Sequence, residues 1–149
     1  MIRLVSWIVF SIYLIVMVYF LFFSEQMGRI PRDTYCYNLR PFAEIGRYLQ
    51  YSNTIGSFNV LLNLAGNVLC FIPFGFVIPI LSGRQRKGYR MFFLSFLASL
   101  IVELLQLVSK LGSCDVDDII LNTLGGVIGY LLFSVCNRIL HWKGRMNKS

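Results

Sequence analysis

The chain has 149 residues, of which 56% are hydrophobic and 14% charged, with a mean hydropathy of +0.65. A soluble domain of this length has too little interior to hide so much apolar surface, so a water-solvated globule is excluded and lipid is the main solvent. The formal net charge of +7 comes with no basic face interleaved with aromatics outside the apolar runs, which excludes nucleic acid. The Lys and Arg instead report membrane orientation and contact with anionic lipid.

Taken in chain order, the first apolar run covers about residues 4–23 and contains no charge. Its length is near the ~20 residues that span a bilayer as a helix. No A-x-A-like cleavage site follows in FFSEQMGR, which predicts a retained anchor rather than a removed leader. A polar loop containing NLRPF, Asn38 to Phe42, leads to a second run at about 58–81 that includes Asn63, Asn67, Pro73 and Pro79. Each proline removes a backbone hydrogen bond, and a kink is predicted near Pro73. The third run, about 91–109, carries Glu103 and Gln106. The fourth, about 119–140, follows Asp115, Asp117 and Asp118 and contains Asn122, with Gly125 and Gly129 at a G-x-x-x-G spacing that admits a close neighbouring helix. The runs are continuous and do not alternate, which argues against membrane strands. The predicted architecture is a single all-α integral membrane domain over residues 1–149 with four transmembrane helices.

Basic residues set the predicted orientation. Arg3, Arg84, Arg86, Lys87, Arg90, Arg138, Lys143, Arg145 and Lys148 make nine on one side, against five on the other, Arg29, Arg32, Arg40, Arg47 and Lys110. The positive-inside rule then places both termini in the cytoplasm. With that orientation Asn63, Asn67, Glu103, Gln106 and Asn122 all fall within the outer half of the bilayer, at about 1.5 Å rise per residue. Their spacings agree. Asn59, Asn63 and Asn67 step by four; Ser99, Glu103, Gln106 and Lys110 step by four, three and four; Asp115, Asp118 and Asn122 step by three and four. Each set is one helical stripe, and such stripes face one another or a watered cleft rather than hydrocarbon.

Simpler roles compete with function at several positions. Intramembrane Asn is commonly interhelical glue, and the aspartates can cap or complement the dipole of the fourth helix, a reading favoured for Asp117. Glu103 is the candidate acid or base, because a carboxylate at that depth is costly unless paired; Lys110 and the Arg residues of the first loop are its candidate partners. The Asp cluster lacks the Gly and distal Glu of an EF-hand loop, so no metal is established, although a divalent ion shared by Glu103, Asp115 and Asp118 is one alternative. No cofactor is implied. His141, beside Trp142 in a basic tail, reads as an interfacial anchor, and Cys70 and Cys136 as apolar fillers. Cys36 and Cys114 both fall on predicted outer loops, where a disulfide is allowed.

NLRPF, NLAGNVLCFIPFG, ELLQ and GSCDVDDIILNTLGG, in that order over about two-thirds of the chain, resemble the VanZ family of bacterial membrane proteins, named for its teicoplanin-resistance member. The family pattern falls on Asn38, Pro41, Phe42, Asn63, Pro73, Gly75, Glu103, Gln106, Asp115, Asp118, Asn122 and Gly125. Many members carry an Arg shortly before the first Asp of the last block; LGSC here has none. The resemblance implies a multi-pass protein of the bacterial cell membrane that lowers susceptibility to teicoplanin-type lipoglycopeptides without altering the peptidoglycan precursor, and so touches the antibiotic's action indirectly. It implies no reaction.

Two functional classes follow. One is a non-enzymatic envelope protein whose outer-leaflet polar cleft, formed by Asn63, Asn67, Glu103, Gln106, Asp115, Asp118 and Asn122, contacts a membrane lipid or lipid-linked cell-wall ligand. The other is a small membrane enzyme on such a substrate, with Glu103 as acid or base, Asp115 and Asp118 holding a cation and Asn122 orienting the substrate. The absence of a nucleophile beside a base favours the first. Oligomeric state is left open.

Overall fold

The computed structural model describes residues 2–23, 34–50 and 57–146; of the side chains within these segments, those of 57–63 and 141–146 are among the ones not described. Asn63, His141 and Trp142 therefore lie outside the described residues, as do Arg29 and Arg32. In chain order the elements are helix α1 (Ile2–Phe23), strand β1 (Cys36–Asn38), helix α2 (Ala43–Gln50), helix α3 (Ser57–Leu81), a 3-10 turn (Gly83–Gln85), helix α4 (Gly88–Ser109), strand β2 (Ser113–Asp115) and helix α5 (Val116–Met146).

Four of the helices are long and apolar enough to cross a membrane: Leu4–Phe22, Leu64–Leu81, Gly88–Ser109 and Val116–Leu140. They match the four predicted runs, with α4 starting a turn earlier and α5 extending further at both ends. α3 is continuous through Pro73 and Pro79. α4 stops where Lys110 adopts a left-handed conformation (φ 58°) and returns its N–H to Leu107 O at 3.2 Å, which closes the last turn.

Contacts fix the relative directions of the helices. Phe10 stacks near Phe74, and the Tyr13 hydroxyl donates to Cys70 O at 2.7 Å, so α1 and α3 are antiparallel. α3 and α5 run parallel, with Val68 against Gly125 and Ile72 against Gly129. α4 returns antiparallel to α5, with Ser99 bonded to Asn122 and Ser95 against Gly126. A Cβ at Gly125 would be driven into the Val68 carbonyl, one at Gly129 into that of Ile72, and one at Gly75 into that of Gly126. The G-x-x-x-G face of α5 and Gly75 are where these two backbones meet.

Burial is inverted relative to a soluble protein. Phe10, Leu21, Phe71, Phe74, Met91 and Val102 form a modest apolar core. Yet Asn67, Ser95, Ser99, Glu103, Gln106, Asp117, Asn122 and Thr123 are also buried, while Ile8, Ile15, Phe93, Leu97, Leu105, Leu131 and Val135 face outward. Apolar residues outside and polar residues between helices is the arrangement lipid favours, because only the bundle interior can satisfy polar side chains.

The two short strands were not read from the sequence. β1 and β2 form a two-stranded parallel ribbon, with Cys36 opposite Ser113, Tyr37 opposite Cys114 and Asn38 opposite Asp115. Strands of three residues carry too little alternation to be seen in a sequence. The ribbon also decides against the allowed disulfide. Cys114 is one step out of register with Cys36, so the two side chains point to opposite faces, and both cysteines are thiols.

Candidate functional site

The polar groups meet at the end of the bundle where β2 turns into α5. Asp115 is the N-cap of α5: its Oδ1 accepts the Asp117 N–H at 2.8 Å, satisfying one of the donors a helix leaves open at its start. Its Oδ2 accepts from Asn38 Nδ2 at 3.1 Å across the ribbon, while Asn38 Oδ1 accepts the Arg40 N–H at 3.2 Å. The Asp115 N–H in turn donates to Glu103 Oε2 at 2.9 Å. Glu103 and Asp115 are buried at 0% and 3% exposure. A single backbone turn is thus held by a carboxylate from α4 and an amide from the first loop.

Asp117 lies in the first turn of α5, where it complements the dipole of its own helix as read from the sequence, and it has a second role. Its carboxylate accepts the backbone N–H of Phe42, and that of Ile45 at 3.1 Å, so it caps α2 from across the fold. Phe42 itself is in the left-handed region (φ 62°), which turns the chain at Pro41–Phe42 so that the first amides of α2 aim at Asp117. Sequence reasoning left Asp117 out of the site because it lies off the Asp115–Asp118–Asn122 stripe. Its full burial marks it as the residue that fastens α2 to the site. Asp117→Ala leaves two part-buried amides without their acceptor, at up to about 1–3 kcal/mol each. Amide hydrogen exchange at residues 42–46 is therefore expected to rise tenfold or more, with Asp117→Asn intermediate. Unchanged exchange in the alanine variant would contradict this capping role.

The remaining predicted residues divide. Asn67 donates through Nδ2 to Asp118, joining α3 to α5. Asn122 donates to Ser99 Oγ at 3.0 Å, joining α5 to α4 deeper in the bundle. Gln106 does not face the carboxylates' hydrogen bonds; its Nε2 donates to Leu21 O at 2.7 Å, one of the carbonyls α1 leaves open at its C-terminal end. Lys110 lies over the Tyr35 ring at 4.9 Å. Arg47 of α2 is the weakest of the influences on Asp115 and the one positive charge among them.

Burial pushes the Asp115 carboxyl above its ordinary value. The Asp117 amide, the Asn38 amide and Arg47 offset part of that rise, and the Asp117 carboxylate adds to it. The Cys114 thiol is raised as well, by burial first and then by the negative charges of Glu103, Asp115 and Asp118 around it. Among the described residues no group of three His, Cys, Asp or Glu side chains is arranged to hold a metal ion. The shared divalent site considered for Glu103, Asp115 and Asp118 is not formed: Glu103 accepts a backbone amide, Asp115 caps a helix and Asp118 accepts from Asn67. The site is rich in acceptors. Asn67 Oδ1, Gln106 Oε1 and Asn122 Oδ1 are buried and accept no hydrogen bond among the described residues. Such an arrangement takes hydroxyl or ammonium donors and repels phosphate.

The family profile described as VanZ/LLP1 matches residues 10–137. Protein VanZ of Enterococcus faecium is 25% identical over 136 residues, covering 89% of this chain and 76% of that protein. No solved structure matches.

Proposed function

This chain belongs to the VanZ/LLP1 family, and from that premise we propose that it is a multi-pass protein of the bacterial cell membrane that lowers susceptibility to teicoplanin-type lipoglycopeptides. The working site is the acceptor-rich cluster of Asn67, Glu103, Asp115, Asp118 and Asn122. It lies in the outer half of the bilayer and contacts a lipid or lipid-linked cell-wall ligand through that ligand's hydroxyl or ammonium donors. The observation that carries this reading is the Glu103–Asp115–Asn38 chain of hydrogen bonds, which ties α4, β2 and β1 together at one end of a helix bundle. A buried carboxylate in a membrane protein is a functional candidate by default, because its desolvation has to be offset.

The test is expression of the full chain in a susceptible bacterium. The inhibitory concentration of teicoplanin is expected to rise, and that of a glycopeptide without a lipid tail to change less. No shift for either drug would overturn the proposal.

Orientation is tested separately. Gly46 of α2 is exposed, with open space for a side chain. In a variant lacking the native cysteines, Gly46→Cys is expected to react with an impermeant maleimide in intact cells. Labelling seen only after lysis would place the site on the cytoplasmic side.

A further inference from the structure

At the opposite end of the bundle, where the 3-10 turn enters α4, a groove is lined by Arg84, Gln85, Tyr89, Arg90, Phe93 and Leu97. Arg90 and Glu103 are separated by about 20 Å along α4 at ~1.5 Å per residue, so this groove is distinct from the carboxylate cluster. We propose that it binds one anionic glycerophospholipid, of the phosphatidylglycerol type, with the phosphate at Arg84 and Arg90 and an acyl chain along Phe93 and Leu97.

The polarity of the groove changes along its length as that of a lipid does. Arg90, Phe93 and Leu97 follow one stripe of α4, at steps of three and four, so a cation stands one and two turns above an exposed apolar wall. Tyr89 stands beside the cation, at the level where amphipathic aromatics sit in a membrane. The mouth is held in shape. Arg90 Nη1 donates to Arg84 O at 3.0 Å, Arg86 Nε donates to Pro79 O at 3.3 Å, and the Tyr130 hydroxyl donates to Arg86 O at 2.8 Å. The Arg84 guanidinium makes no hydrogen bond among the described residues. Charge complementarity therefore selects an anion, and the apolar wall below selects one that carries a hydrocarbon chain. Gln85 lines the same groove, and its buried carbonyl oxygen accepts no hydrogen bond among the described residues. A headgroup hydroxyl, which phosphatidylglycerol has and phosphatidylcholine lacks, is the donor that completes it. This assignment does not depend on the proposed resistance function.

The full chain, reconstituted in vesicles of phosphatidylcholine and phosphatidylglycerol, is examined by electron spin resonance with either lipid spin-labelled on its acyl chain. The motionally restricted fraction is expected to favour phosphatidylglycerol by about fivefold, the preference that one basic residue near the surface supports; that residue is Arg84, because Arg90 is in part engaged with the Arg84 carbonyl. Arg84→Gln should remove most of this preference. Leu97→Trp fills the wall while keeping every charge, and should lower it as well. Arg138, on α5 about 12 Å beyond Tyr130 at ~1.5 Å per residue, lies at the same end but outside the groove; Arg138→Gln should leave the preference intact. Equal restriction of the two lipids by the wild-type protein overturns the proposal. So does a preference that survives Arg84→Gln or Leu97→Trp, or one lost equally in Arg138→Gln, which would be the mark of diffuse surface charge.

Discussion

Gly125→Leu is expected to abolish assembly of the helix bundle. A first side-chain atom at this position already overlaps the Val68 carbonyl and presses on the Phe71 Cβ. Both obstacles are stiff, because one is helix backbone and the other begins a fully buried side chain. Added methylenes in a packed core cost about 1–3 kcal/mol when side chains can shift aside. Here α3 and α5 must separate instead, so a cost above that range is expected, against a total stability on the order of 5–15 kcal/mol. Size-exclusion chromatography of the detergent-extracted full chain should show loss of the monodisperse species for Gly125→Leu and a lowered Tm for Gly125→Ala. Gly46→Leu serves as the control, since nothing stands within 4 Å of a side chain there. A wild-type profile for Gly125→Leu would mean that α3 and α5 do not meet at this glycine.

Substitutions at Glu103 should separate its structural role from the proposed functional one by shape and charge. Glu103→Ala removes the acceptor of the buried Asp115 N–H and leaves a cavity, so a loss of several kcal/mol is expected from an unsatisfied donor at about 1–3 kcal/mol plus the missing volume. Its readout is reduced abundance in the membrane. Glu103→Gln keeps the volume and can still present a carbonyl oxygen to that amide, so the protein should insert and accumulate normally. What it removes is the charge. If the cluster acts through its carboxylates, this variant should lose the proposed teicoplanin phenotype at undiminished abundance. A full phenotype in Glu103→Gln would reduce Glu103 to a residue that holds the β2–α5 turn.

The four spans were legible in the sequence because hydrocarbon thickness imposes a length and excludes charge, and both constraints are written in consecutive residues. Helical periodicity likewise determined which polar residues share a face: Ser99 with Glu103 and Gln106, and Asp118 with Asn122. The G-x-x-x-G spacing marked the close-packing face of α5. The family, too, was readable from four short blocks in order.

What the sequence by itself did not determine was the partner of each polar group. Spacing along one helix says which way a side chain leaves the axis, and nothing about which neighbour it meets. Gln106 shares a stripe with Glu103 yet serves a carbonyl of α1, while Asn122 bonds to Ser99 and Asn67 to Asp118. Asp117 lies off every stripe, and only the left-handed turn at Phe42 brings the amides of α2 to it. The Asn38–Asp115 ribbon joins residues 77 apart along the chain. These pairings come from long-range closure. A buried carboxylate must find donors wherever the packed helices place them, and that placement is decided by how glycine faces and aromatic side chains let the helices approach.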